Sequence, residues 1–251
     1  MTEPEIQQPP TAATPPGDPA RDVSMPVLEK AGVQLRAPWA ASIAGILFSI
    51  LFTAALVLLR SEADDPDLVR SLAMGENPAV VIGGLYLAPF AGIMFLWFVA
   101  VIRDQIGERE DRFFATVFFG SGLLFVALLF TAAAVGSTPT TLVQLMGGSA
   151  LSLDGVVLMR ALAYTLLYAF ATRAAAVFML ATATIGIRSG VFPRWFALAT
   201  FGLGFALLVA VSFADWVILV LPAWVAFVSA FILRRERARR LAPTSAGGPG
   251  A

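Results

Sequence analysis

Arg173 is the residue in this chain best placed to do chemistry. It is a cation in the middle of an apolar run, Val156 to Gly186, which reads VVLMRALAYTLLYAFATRAAAVFMLATATIG. About 20 apolar residues cross the hydrocarbon core of a bilayer. A charge inside such a span marks a functional position by default. Mid-bilayer Arg costs from about 2.5–3.5 kcal/mol on insertion scales to about 10–17 kcal/mol in simulations. One interhelical hydrogen bond returns only about 0.6 kcal/mol. No Asp or Glu lies within any of the apolar runs, and the nearest acids in sequence, Asp154 and Asp215, fall at their boundaries. Arg173 is therefore expected to face the bundle interior, held by backbone carbonyls, hydroxyls or water. Its functional reading is the binding of an anion, and its structural reading is a polar network.

Three further residues join it as candidate ligand-binding positions. Arg160 lies about one turn inside the same run and can snorkel outward. On a continuous α-helix it sits about 220° from Arg173, so the two do not form one stripe. Tyr164 and Tyr168 are four apart, on a face nearer Arg160. They line a pocket or simply pack as aromatics. Pro89, inside another apolar run, kinks its helix and is a candidate hinge.

The absences exclude more than the motifs assign. The chain has no Cys and no His. That removes disulfides, thiolate nucleophiles, Cys- or His-ligated metals, His-ligated haem and any His-based triad. There is no GxxxxGK[ST] phosphate loop. Without intramembrane carboxylates, proton or sodium coupling is disfavoured. The expectation is a protein that is not an enzyme and carries no cofactor and no metal.

The elements that position these residues are membrane helices. Of 251 residues, 58% are hydrophobic and 14% charged, and the mean hydropathy is +0.81. A soluble domain has about 25% charged residues, and a β-barrel would alternate in short segments. The fold expected is all-α, an integral membrane bundle of six transmembrane helices over 38–233. The spans fall at about 39–59, 78–102, 113–135, 156–186, 196–212 and 216–233. Residues 1–37 are polar and Pro-rich, with no apolar segment of a signal peptide, and read as a disordered tail. Residues 234–251 read as a basic, then flexible, tail.

Local signals mark the joints. Asn77 can cap the second helix with Pro78 at its first position, and Asp215 can cap the sixth. Gly84, Ala88 and Gly92 form a small-residue stripe, and Gly120 and Gly122 also permit close approach. Residues 103–112 are a charged connector in which Glu108 and Arg112 are spaced to pair. Residues 136–155 read as a loop with a short element on the membrane surface. Gly190 and Pro193 end one helix and start the next.

Six spans put both termini on one side. On that side lie thirteen basic residues, against only Arg60 and Arg70 opposite. The positive-inside rule then makes the termini cytoplasmic. The Arg-rich composition suggests a bacterial cytoplasmic (inner) membrane. Expected partners are membrane lipids, a small-molecule solute, and a membrane-protein partner or a homo-oligomer, with no nucleic acid.

Two stretches, RDQIGEREDRFFATVFFGSGLLF (103–125) and TRAAAVFMLATATIGIRSGVFPRWFAL (172–198), resemble segments of uncharacterised multi-pass membrane proteins common in actinobacteria. The resemblance implies a bacterial inner-membrane protein and carries over no activity. The functional expectation is binding or permeation of a small, anionic solute in a cavity that includes Arg173. The alternative is a structural or assembly subunit without its own ligand. A wet cavity at Arg173 favours the first. A closed interior with an exposed small-residue face favours the second.

Overall fold

The computed structural model describes residues 37–63, 79–106, 112–146, 152–189, 192–210 and 215–241. The tail 1–36, the segment 64–78 with Asn77 and Pro78, the connector 107–111 with Glu108, Gly190 and the tail 242–251 lie outside the described residues. The described residues are all-helical, and no strand occurs among them. Among the described residues, five stretches are long and apolar enough to cross a membrane: Trp39–Leu59, Tyr86–Arg103, Phe113–Met146, Leu153–Arg188 and Val217–Arg235. A sixth apolar helix, Arg194–Val209, is shorter.

The helices are α1 (Ala37–Ala63), α2 (Ala79–Ile106), α3 (Arg112–Met146), α4 (Leu153–Tyr164), α5 (Thr172–Ser189), α6 (Arg194–Ala210) and α7 (Val220–Leu241). A π-helical segment, Thr165–Ala171, joins α4 to α5, and a 3-10 turn, Asp215–Leu219, leads into α7. Packing runs through the pairs α1–α2, α2–α3, α3–α4, α3–α5 and α5–α6, and α1 also meets α7.

The centre is built from aromatic rings. Phe95 of α2 is the hub, with Phe48 of α1 at 4.8 Å, Phe125 of α3 at 4.9 Å and Phe178 of α5 at 5.1 Å between ring centroids. Phe178 also meets Phe118 at 4.8 Å and, edge-on, Trp224 of α7 at 6.1 Å. Phe48, Phe95, Phe125 and Phe178 are all fully buried. Edge-to-face and tilted pairs are the favoured ring arrangements. In lipid, where apolar burial alone does not drive helices together, such packing is what holds a bundle.

Small residues let the backbones close. Gly45 of α1 lies against Ser229 of α7 and Phe98 of α2, leaving no room for a Cβ. The Ser49 hydroxyl lies 2.8 Å from two carbonyls, Gly45 on its own helix and Pro222 across on α7. It has one proton, so the two acceptors share it. The small-residue stripe of α2 divides between two neighbours: Gly84 faces Leu59 of α1, and Gly92 receives the Phe130 ring of α3. Gly122 packs against Phe178 and Val99, whereas Gly120 is open.

The segment 136–146 differs from its sequence reading as a loop. α3 continues through Pro139 to Met146. Proline withholds a backbone N–H from the helix ladder. Nearby hydroxyls also bond back along this segment: Ser137 and Thr138 donate to the Ala134 carbonyl, and Thr140 and Thr141 to that of Ser137. Such back-bonding satisfies the hydroxyls within the helix and tends to bend it. The basic tail differs too, because α7 runs on to Leu241 with Arg234, Arg235 and Arg237 exposed along it.

Candidate functional site

The Arg173 site lies on the longest helical stretch, Leu153–Ser189. Ser152 caps its start, accepting a hydrogen bond from the Gly155 amide at 3.2 Å, with Asp154 in the first turn. These suit a helix N-terminus. At Thr165 the helix widens into π geometry. Both the amide and the hydroxyl of Thr172 donate to the Leu167 carbonyl, five residues back. π-turns are rare and recur at functional sites. This one ends at Ala171, two residues before Arg173.

The π-turn changes which residues share a face. It holds one more residue than an α-turn, so everything after it is rotated by about one residue step, about 100°. Tyr164 falls about 180° from Arg173 on a continuous α-helix and about 80° with the π-turn. Arg160 comes to about 120°, still not one stripe with Arg173.

Arg173 does not face the interior. It is exposed, and it is the only exposed residue of α5 between Thr172 and Gly186. Its guanidinium donates to the Ala169 carbonyl at 2.7 Å, one turn back on its own helix. The expectation of backbone-carbonyl bonding is met, but the direction is outward. The physical reason is that the inward positions are already taken. Ala174, Ala175, Ala176, Phe178 and Met179 are all buried, with Phe178 in the aromatic centre. A guanidinium there would displace rings.

The other candidates separate from it. Tyr164 is 48% exposed and stacks on half-buried Tyr168, with centroids 4.1 Å apart and planes 20° apart, so the pair packs as aromatics. Arg160 is half-buried in α4. Pro89 lies within α2, between buried Ala88 and exposed Phe90, far from this helix in the chain. Of the four candidates, the structure brings Tyr164 and Tyr168 into contact, and Arg173 bonds the Ala169 carbonyl. Among the described residues no cluster of metal-ligating side chains occurs.

Sequence reasoning missed the polar links between helices. The Trp224 indole N–H of α7 donates to the Thr200 hydroxyl of α6 at 3.0 Å, both buried. Trp224 and Thr200 carry no periodic signal that would pair them. At the arginine-rich end, Arg188 lies over the Phe114 ring at 4.5 Å and Arg103 over Phe119 at 5.0 Å. These cation–π contacts tie the basic residues of α5 and α2 to α3.

α6 touches α5 through Gly204, where a Cβ would lie 3.2 Å from the Ala176 carbonyl oxygen. Its other glycine, Gly202, faces open space, with Ala199 and Ala206 also exposed. No protein-family model, curated protein or solved structure matches the chain.

Proposed function

We propose that this chain is a non-catalytic, multi-pass membrane protein that works through its membrane-facing surface, where Arg173 holds an anionic group. The observation that carries this is the outward guanidinium of Arg173 on a helix that is buried or half-buried at every position from Ala174 to Gly186. A guanidinium is always charged and presents five donors in a rigid fork. One donor is used on Ala169. An exposed cation at this depth is stabilised most by an anion that takes the others.

A route for solute through the bundle centre is disfavoured, because Phe48, Phe95, Phe125 and Phe178 fill it. In proteoliposomes the purified protein is expected not to pass small anions. Anion efflux above the rate of empty liposomes, lost in Arg173→Gln, would overturn this and restore the permeation reading.

The second reading, an assembly subunit, draws support from the filled centre and from the open Ala199–Gly202–Ala206 face of α6. Small residues on a membrane helix permit close approach of another helix.

The sixth crossing and the orientation belong to the same proposal. α6 is 17 residues long, about 25 Å of rise, at the short end for a span. With it, both termini lie in the cytoplasm of a bacterium and the segment 61–77 lies outside. A reporter fused within 61–77 is expected to give an extracytoplasmic signal, and a cytoplasmic signal would remove the six-span topology.

A further inference from the structure

We infer that the anion at Arg173 is the phosphate of a membrane glycerophospholipid, taken from the leaflet opposite the arginine-rich end of the bundle; this rests on the anion-binding reading above. Three observations lead there.

The first is depth. Antiparallel succession brings Arg103 of α2, Arg188 of α5, Arg194 of α6 and Arg234 and Arg235 of α7 to one end of the bundle, all exposed. Arginines concentrate at a membrane surface. From Arg188, Arg173 lies about 22 Å along the helix. The hydrocarbon core is about 30 Å thick. The Arg173 backbone therefore sits about 8 Å short of the far hydrocarbon boundary. That is past the midplane, and a long side chain can close most of the gap by snorkelling.

The second is direction. The guanidinium bonds Ala169, one turn toward the helix N-terminus. Helical side chains lean that way. In this helix the N-terminal direction leads away from the arginine-rich end, toward the far headgroups.

The third is the surroundings. Phe170, 55% exposed, precedes Arg173 at the three-residue spacing of helix-face neighbours, and half-buried Val177 follows at four. The cation thus stands in an apolar column. A free phosphate brings nothing to such a column. A phospholipid brings a phosphate at the height of the guanidinium fork and acyl chains at the height of the apolar side chains. Bidentate Arg–phosphate pairing supplies the geometry.

The test is thermal unfolding of the purified full chain in a neutral detergent. The probes are dihexanoyl phosphatidylglycerol, dihexanoylglycerol (the same chains without phosphate) and inorganic phosphate. The proteins are wild type, Arg173→Gln, Arg173→Lys and Arg160→Gln. Phosphatidylglycerol is expected to raise the wild-type midpoint by several degrees, dihexanoylglycerol and inorganic phosphate by far less. The shift is expected to vanish in Arg173→Gln, shrink in Arg173→Lys and persist in Arg160→Gln. Native mass spectrometry of retained phosphatidylglycerol gives the same comparison without depending on stability.

A full shift from inorganic phosphate, lost in Arg173→Gln, would overturn the lipid assignment and leave the anion reading standing. No shift from either phosphate compound would overturn both. An equal phosphatidylglycerol shift in wild type and Arg173→Gln would place the lipid elsewhere and overturn the proposal. So would an oligomer of the wild type that Arg173→Gln dissociates, since the anion would then be supplied by a protein partner.

Discussion

From Ala174 to Gly186, toward the arginine-rich end, the Leu153–Ser189 helix is buried or half-buried at every position. From Leu153 to Ala171, on the other side of Arg173, only Val156, Leu167 and Ala171 are buried, and Leu158 and Leu162 are exposed. The two halves have the same apolar character but different neighbours. α5 is enclosed by α3 and α6 and sends Phe178 into the centre, whereas α4 packs chiefly on α3. The π-turn lies on the boundary, and so does Arg173. The difference teaches that burial along a membrane helix is set by how far its neighbours reach, not by its own composition. A residue at that boundary can be outward-facing even when its own helix is otherwise enclosed.

This contrast can be broken most forcefully in the enclosed region. Phe95→Ala removes the hub ring that Phe48, Phe125 and Phe178 share. On the scale of soluble cores it should cost about 3–5 kcal/mol, read as reversible unfolding in detergent. A loss under 1 kcal/mol would mean the rings do not hold the bundle.

Next in size is Arg173→Gln. An interior Arg tied into a network would destabilise on removal, by about 3–5 kcal/mol if its loss stranded a buried charge. An outward Arg should not. The variant is expected to keep or slightly raise its melting point in ligand-free detergent, with a relief below the about 2.5–3.5 kcal/mol that insertion scales give for Arg at the bilayer centre.

A smaller effect sharpens the role of α6. Trp224→Phe keeps the ring against Phe178 but removes the donor to Thr200. About 0.6 kcal/mol is expected, with about 1.7 as the upper end for such bonds in a membrane. The double variant Trp224→Phe with Thr200→Val should cost no more than the single changes combined.

The smallest effect belongs to α4. Leu162→Ala, at a position 44% exposed, should change stability by less than about 0.5 kcal/mol. A loss comparable with that of Phe95→Ala would show that a partner covers this surface.

The helical fold was legible because span length and apolarity are one-dimensional properties that survive in sequence. The extension of α3 to Met146 was not. Gly136 and Pro139 look like loop residues, yet the helix carries on through both, with the hydroxyls of Ser137, Thr138, Thr140 and Thr141 bonded back to its own carbonyls. That Arg173 puts a charge near the middle of an apolar run was legible. Its direction was not, because a run apolar on all sides has no phase to read, and the π-turn then shifts the phase that an ideal helix would give. The Trp224–Thr200 link joins positions on two helices and leaves no local trace.

The most direct test is of the outward direction of Arg173. The chain contains no cysteine, so Arg173→Cys offers a single site for a nitroxide spin label with no background. Phe170→Cys serves as the exposed reference. In lipid nanodiscs the account predicts a mobile label at 173, with collision rates toward dissolved oxygen close to those at 170. An immobile label at 173, shielded from oxygen while that at 170 is not, would place Arg173 inside the bundle and contradict it.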